Sequence, residues 1–101
     1  MAYFPFYIDI ENKKILVVGG GTVALGKIEK LTPFSPDITV VAPKICDEIK
    51  ALNVKIIDHR FCDSDLDGAF CVISATDDET LNGRIFQLCN EKNILVNTVD
   101  D

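Results

Sequence analysis

Apolar positions along the chain fall into alternating short runs and helical stripes. Lys14-Ile15-Leu16-Val17-Val18 is a continuous β-branched run, the pattern of a strand buried on both faces. Glycines 19–21 break it, and from Thr22 to Leu31 the positions Ala24, Ile28 and Leu31 recur at helical spacing until Pro33 and Pro36 end the helix. Ile38–Ala42 reads as a second strand closed by Pro43. Ile45, Ile49 and Leu52 mark a helix, and Val54–Asp58 a third strand. Phe70–Ser74 predicts a fourth strand. Leu81, Ile85, Leu88 and Cys89 stripe a longer helix, and Ile94–Val99 a fifth strand.

Strict strand–helix alternation with short connections predicts an α/β fold, a Rossmann-like doubly wound parallel sheet of about five strands with helices on both faces. Residues 1–101 are expected to form one domain, with no repeat and no low-complexity linker.

The chemistry of such a sheet belongs at the carboxyl ends of its strands. Gly19-Gly20-Gly21-Thr22-Val23-Ala24 fits G-x-G-x-x-G/A between the first strand and first helix. Gly19 allows the tight turn, Gly21 lets backbone approach a pyrophosphate, and Ala24 keeps helix and strand close. The helix N-terminus adds free N–H groups and a favourable dipole. A glycine triplet is otherwise simply a turn; the strand-to-helix setting favours a dinucleotide site.

The acid that usually meets the ribose hydroxyls is missing: the second strand ends Val41-Ala42-Pro43-Lys44. Either backbone groups hold the ribose or Lys44 receives a 2′-phosphate, so these residues leave NAD and NADP both open.

Composition narrows the field further. Ten Lys+Arg against sixteen Asp+Glu give a net charge of -6, which argues against non-specific nucleic-acid binding. No apolar run approaches a bilayer span, and Met1–Phe6 lacks the basic start of a signal peptide, so neither a membrane protein nor a secreted one is expected. Cys46, Cys62, Cys71 and Cys89 form no Cys-x-x-Cys pair and His59 is the only histidine, so no zinc cage and no bound metal are expected. Thiols on apolar faces, such as Cys71 and Cys89, suit a reduced, cytoplasmic protein.

Two further clusters fall at strand ends. In Ser74-Ala75-Thr76-Asp77-Asp78-Glu79, Thr76 and Glu79 suit a capping box and Asp78 the positive helix end, while the small Ser74 and Ala75 leave room for a cofactor. Asp100, after the fifth strand, is either an exposed terminal acid or a carboxylate placed to take a proton beside a nicotinamide. His59 reads as a surface or capping residue, whereas Lys27 and Arg60 are the cations suited to an anionic substrate.

Together these residues resemble a known family. Tyr3-Phe4-Pro5, Lys14–Gly21, Val23-Ala24, Lys27, Val40-Val41-Ala42-Pro43, Arg60, Asp65-Leu66, Ala75-Thr76-Asp77-Asp78, Asn82, Val96-Asn97 and Val99-Asp100-Asp101 look like the N-terminal NAD-binding domain of precorrin-2 dehydrogenases and siroheme synthases. The resemblance runs over essentially the whole chain. It implies NAD as cofactor, in keeping with a family whose second strand also ends Val-Ala-Pro, and NAD-dependent oxidation of the tetrapyrrole precorrin-2 to sirohydrochlorin. Some members also insert ferrous iron. The family's functionally important aspartate maps onto Asp100, as general base and, in bifunctional members, in chelation. Gly19, Gly20, Gly21, Thr22, Val23, Ala42, Pro43, Ala75, Thr76 and Asp77 would bind NAD, with Asp77 and Asp78 at the nicotinamide end. Gly26 stands where the family commonly has Arg, and Asn12 where it has a turn Gly. Family members continue into a dimerisation region and a helical C-terminal part that complete the tetrapyrrole cleft from two subunits. A truncated or split product is therefore expected, binding NAD better than it turns over substrate. A redox-sensing NAD(H) module and a partner subunit of a split tetrapyrrole enzyme are the alternative readings.

Overall fold

Five parallel strands in the order β3-β2-β1-β4-β5 form the centre of the computed structural model, which describes residues 2–98. They are β1 (Lys14–Val18), β2 (Asp37–Val41), β3 (Lys55–Ile57), β4 (Cys71–Ser74) and β5 (Leu95–Thr98). The helices are α1 (Thr22–Leu31), α2 (Asp47–Lys50) and α3 (Glu79–Glu91). Two 3-10 turns, Thr32–Phe34 and Asp63–Leu66, complete the regular structure of the described residues.

The two-residue period of β1 divides the core. Ile15 and Val17 pack with Ala24 and Ile28 of α1 and Ile49 of α2 on one face of the sheet. Leu16 and Val18 pack with Leu66 and with Ile85 and Cys89 of α3 on the other. Both faces of the central strand are therefore dry, which is why its sequence is continuously apolar rather than alternating. Burying one side chain such as Ile28, fully enclosed, contributes roughly 1.5–3 kcal/mol.

The chain winds outward from β1 through β2 to β3, then crosses back to place β4 on the other side of β1. β1 is thus paired with β2 (Val18 opposite Val41) and with β4 (Val18 opposite Ser74), and the winding direction reverses between them. Open sheets bind ligands at this reversal, outside the carboxyl ends of the strands.

The predicted architecture is the one observed, with shifts at element ends. β2 begins one residue earlier than expected, at Asp37, and β3 and β4 are shorter. The second helix shrinks to Asp47–Lys50: Ile45 is buried ahead of it in loop backbone and Leu52 beyond it is half-buried. Asn12 adopts the left-handed conformation, φ 61°, as expected of an Asn in a glycine position. A Cβ at Gly26 would meet nothing within 4 Å, so α1 does not need a glycine there.

Among the described residues no helix is long and apolar enough to cross a membrane. All four cysteines are free: Cys89 is buried, Cys46 and Cys71 half-buried, and Cys62 exposed.

Candidate functional site

The glycine turn packs too closely for side chains at two of its three positions. Gly19 has φ +131°, and a Cβ on it would lie 2.4 Å from the Ala75 carbonyl oxygen. A Cβ on Gly20 would lie 2.1 Å from the Lys44 carbonyl oxygen. These approaches tie three strand ends together. The Gly19 N–H donates to the Val41 carbonyl (3.0 Å), the Ala75 N–H to Val18 (2.8 Å), and the Cys46 N–H to Gly20 (2.9 Å).

Gly21 is different. A Cβ there meets nothing within 4 Å, and the residue caps the N-terminus of α1 in an extended conformation without a capping side chain. The first turn of α1 also contains no acid. Among the described residues its N–H groups therefore have no side-chain acceptor, and the positive end of the helix dipole is uncompensated within the helix. This is the arrangement that receives a phosphate. α3 is the contrasting case: Asp78 caps it, its carboxylate accepting from the Leu81 N–H at 3.1 Å. Asp78 thus takes the role expected of Thr76, and Glu79 is simply the first helical residue.

A cleft of about 890 Å³ opens over these strand ends. Its lining includes every residue expected at a cofactor: Gly19, Gly20, Gly21, Thr22 and Val23 from the turn, Ala42 and Pro43 after β2, and Ala75, Thr76 and Asp77 after β4. The volume lies within the usual range for small-molecule sites. An open glycine face, unclaimed amides and small residues at the strand ends fit a dinucleotide in extended form.

Asn82, buried on α3, fixes the turn after β4. Its Oδ1 accepts from Ser74 Oγ (2.8 Å), Thr76 Oγ1 (2.6 Å) and the Thr76 N–H (3.3 Å), and its Nδ2 donates to the Thr76 carbonyl (3.0 Å). Because that carbonyl can only accept, the amide orientation follows. Thr76 Oγ1 in turn accepts from the Asp78 N–H at 3.1 Å.

Of the two cations expected at a substrate, Arg60 lines the cleft, whereas Lys27 is half-buried on α1 outside that lining. Lys44 and Arg84 also line it, so three cations gather there in a chain of net charge -6. Arg84 pairs with Asp63 across the gap between α3 and the 3-10 turn. It escapes sequence reading because only the docking of α3 brings it to the strand ends, although its place three residues after Leu81 is a usable signal. Asp100, expected to be catalytic, lies outside the described residues.

The family model described as "Putative NAD(P)-binding" matches residues 6–101. The chain belongs to this NAD(P)-binding family. The domain is 43% identical to a siroheme synthase of Pseudoalteromonas translucida, over 100% of this chain and 22% of that protein. It is 43% identical to one of Thioalkalivibrio sulfidiphilus (99% and 21%) and 44% identical to one of Blochmanniella pennsylvanica (100% and 22%). The chain therefore spans about a fifth of the length of these curated relatives. Among solved structures it is similar to SirC, a precorrin-2 dehydrogenase, with a TM-score of 0.83 and 29% identity over 94% of this chain and 48% of that one.

Proposed function

We propose that the chain is the cofactor-binding part of an enzyme that oxidises precorrin-2 to sirohydrochlorin with NAD, in siroheme biosynthesis. The observation that carries this reading is the likeness to SirC over nearly the whole domain, and the siroheme synthase relatives support it. Bound NAD supplies the hydride acceptor, so that precorrin-2 and NAD⁺ give sirohydrochlorin, NADH and a proton.

The chain's own residues bind and orient. The face of Gly21 and the amides of Thr22 and Val23 receive the pyrophosphate. Ala42 and Pro43 support the adenosine side of the cleft, while Ala75, Thr76 and Asp77 flank the nicotinamide side. Arg60, within the lining, is better placed than Lys27 to meet a carboxylate of the substrate. Asp100 is the general base on the strength of the family resemblance. It follows Thr98 by two residues, and Thr98 pairs with Ser74 at the same sheet edge.

Residues 1–101 act in this reading as one NAD-binding domain of a cytoplasmic homodimer, in which dimerisation and C-terminal segments complete the tetrapyrrole cleft. In a form that also chelates, ferrous iron is a second substrate.

The test is anaerobic incubation of the chain with precorrin-2 and NAD⁺, run alone and with family C-terminal segments fused. Sirohydrochlorin and NADH should form in equal amounts, and Asp100→Ala should abolish both while keeping NAD binding. Absence of NADH in both forms would overturn the proposal.

A further inference from the structure

The loop after β3 gathers three side chains of different metal-ligating chemistry. His59, Cys62 and Asp65 stand three residues apart, and their ligand atoms all lie within 4.8 Å of one another. The spacing His-x-x-Cys-x-x-Asp has no paired cysteines, which is why the sequence alone predicts no metal there. Local backbone brings the three together. Cys62 caps the 3-10 turn Asp63–Leu66, and buried Leu66 anchors that turn to the core.

The hydrogen bonds already orient the donors. The Cys62 N–H donates to Asp65 Oδ2 at 2.8 Å, which holds the carboxylate beside the cysteine and leaves Oδ1 available. His59 Nδ1 lies 2.6 Å from the Arg60 carbonyl oxygen. A carbonyl only accepts, so Nδ1 carries the proton and Nε2 keeps its lone pair. Such an imidazole-to-carbonyl bond is the usual support behind a metal-bound histidine. The Cys62 thiol faces the same carbonyl at 3.6 Å.

We propose that His59, Cys62 and Asp65 bind one divalent transition-metal ion, of which Zn²⁺ matches the donor set best. Imidazole nitrogen, thiolate and carboxylate are all zinc ligands, whereas Mg²⁺ and Ca²⁺ take oxygen alone. Three protein ligands leave a fourth position for water, and Cys62 releases its thiol proton to solvent as the metal–sulfur bond forms. The loop between the ligands carries Arg60 and Phe61, both in the cleft lining, so a bound ion braces that wall. This site is independent of the dehydrogenase reading.

The test uses the chelator-treated chain, titrated with Co²⁺ while cobalt–thiolate charge-transfer absorption is followed, and with Zn²⁺ by calorimetry. One ion per chain should bind, with Zn²⁺ displacing Co²⁺. Cys62→Ser should remove the thiolate band. His59→Ala and Asp65→Asn should each weaken Zn²⁺ binding about tenfold or more. Asp65→Asn keeps an acceptor for the Cys62 N–H, so the turn survives, and matched far-ultraviolet circular dichroism checks every variant. Cys46→Ser should change nothing. No thiolate band, binding below one ion per chain, or a band that survives Cys62→Ser would overturn the proposal.

Discussion

Asn82 Oδ1 accepts the hydroxyl proton of Ser74 at 2.8 Å, joining α3 to the end of β4 inside the core. Ser74 is fully buried and Asn82 nearly so, and the same amide grips Thr76 on both its N–H and carbonyl. The position of the Ala75–Asp77 turn, one wall of the cleft, therefore depends on a side chain that does not itself line it.

Asn82→Ala is expected to strand the buried Ser74 hydroxyl and release the turn. Stability should fall by about 1–3 kcal/mol in urea unfolding, and NAD affinity should fall with it. Asn82→Asp, which keeps the acceptor oxygen but loses the donor to the Thr76 carbonyl, should disturb the turn as well. Wild-type NAD affinity in Asn82→Ala would contradict the positioning role.

Gly19→Ala and Gly20→Ala should each damage folding rather than binding alone. The added methyl meets backbone oxygens of Ala75 or Lys44, which cannot rotate away as a flexible side chain would. A loss of about 1–3 kcal/mol is expected for each, read as a lowered urea midpoint. Gly19→Ala carries the added strain of φ +131°.

The sheet and its glycine turn were legible because each strand–helix unit carries its own period. The apolar run 15–18 followed by three glycines needs no tertiary information. Where sequence reading missed, tertiary packing decided. Ile45, Ile49 and Leu52 carry helical spacing, yet Ile45 is held by the close approach of Gly20 to the Lys44–Ile45 backbone, and only Asp47–Lys50 coils. The cap at Asp78 rather than Thr76 follows from Asn82 occupying Thr76. Arg84 reaches the cleft only through the docking of α3, which no periodicity encodes, and the His59–Cys62–Asp65 cluster forms only once the loop after β3 coils into its 3-10 turn.

Cysteine protonation gives the domain an alkaline limit. Burial pushes the Cys71 thiol up from 9.0, partly offset by a backbone hydrogen bond at Val72; burial also raises Cys89, reinforced by neighbouring Cys71. Above 9.0 the unfolded chain loses these protons while the folded chain keeps them, so stability falls as pH rises through that window and is unaffected below it. The urea midpoint should therefore be lower at about pH 10 than at about pH 8. The decline should be shallower in the Cys71→Ala, Cys89→Ala double variant. An identical slope in that variant would exclude the thiols as its source.

The most direct measurement is calorimetric titration of NAD⁺ into the wild-type chain and into Gly21→Val. A Cβ at Gly21 meets nothing within 4 Å and its backbone is extended, so the variant should fold, with a melting temperature lowered only by the poorer N-cap. Its side chain would fill the approach to the first turn of α1. One saturable site is expected in the wild type, weakened by about tenfold or more, roughly 1.4 kcal/mol, in Gly21→Val. No binding to the wild type, or equal affinity in a folded Gly21→Val, would contradict a dinucleotide held at this glycine turn.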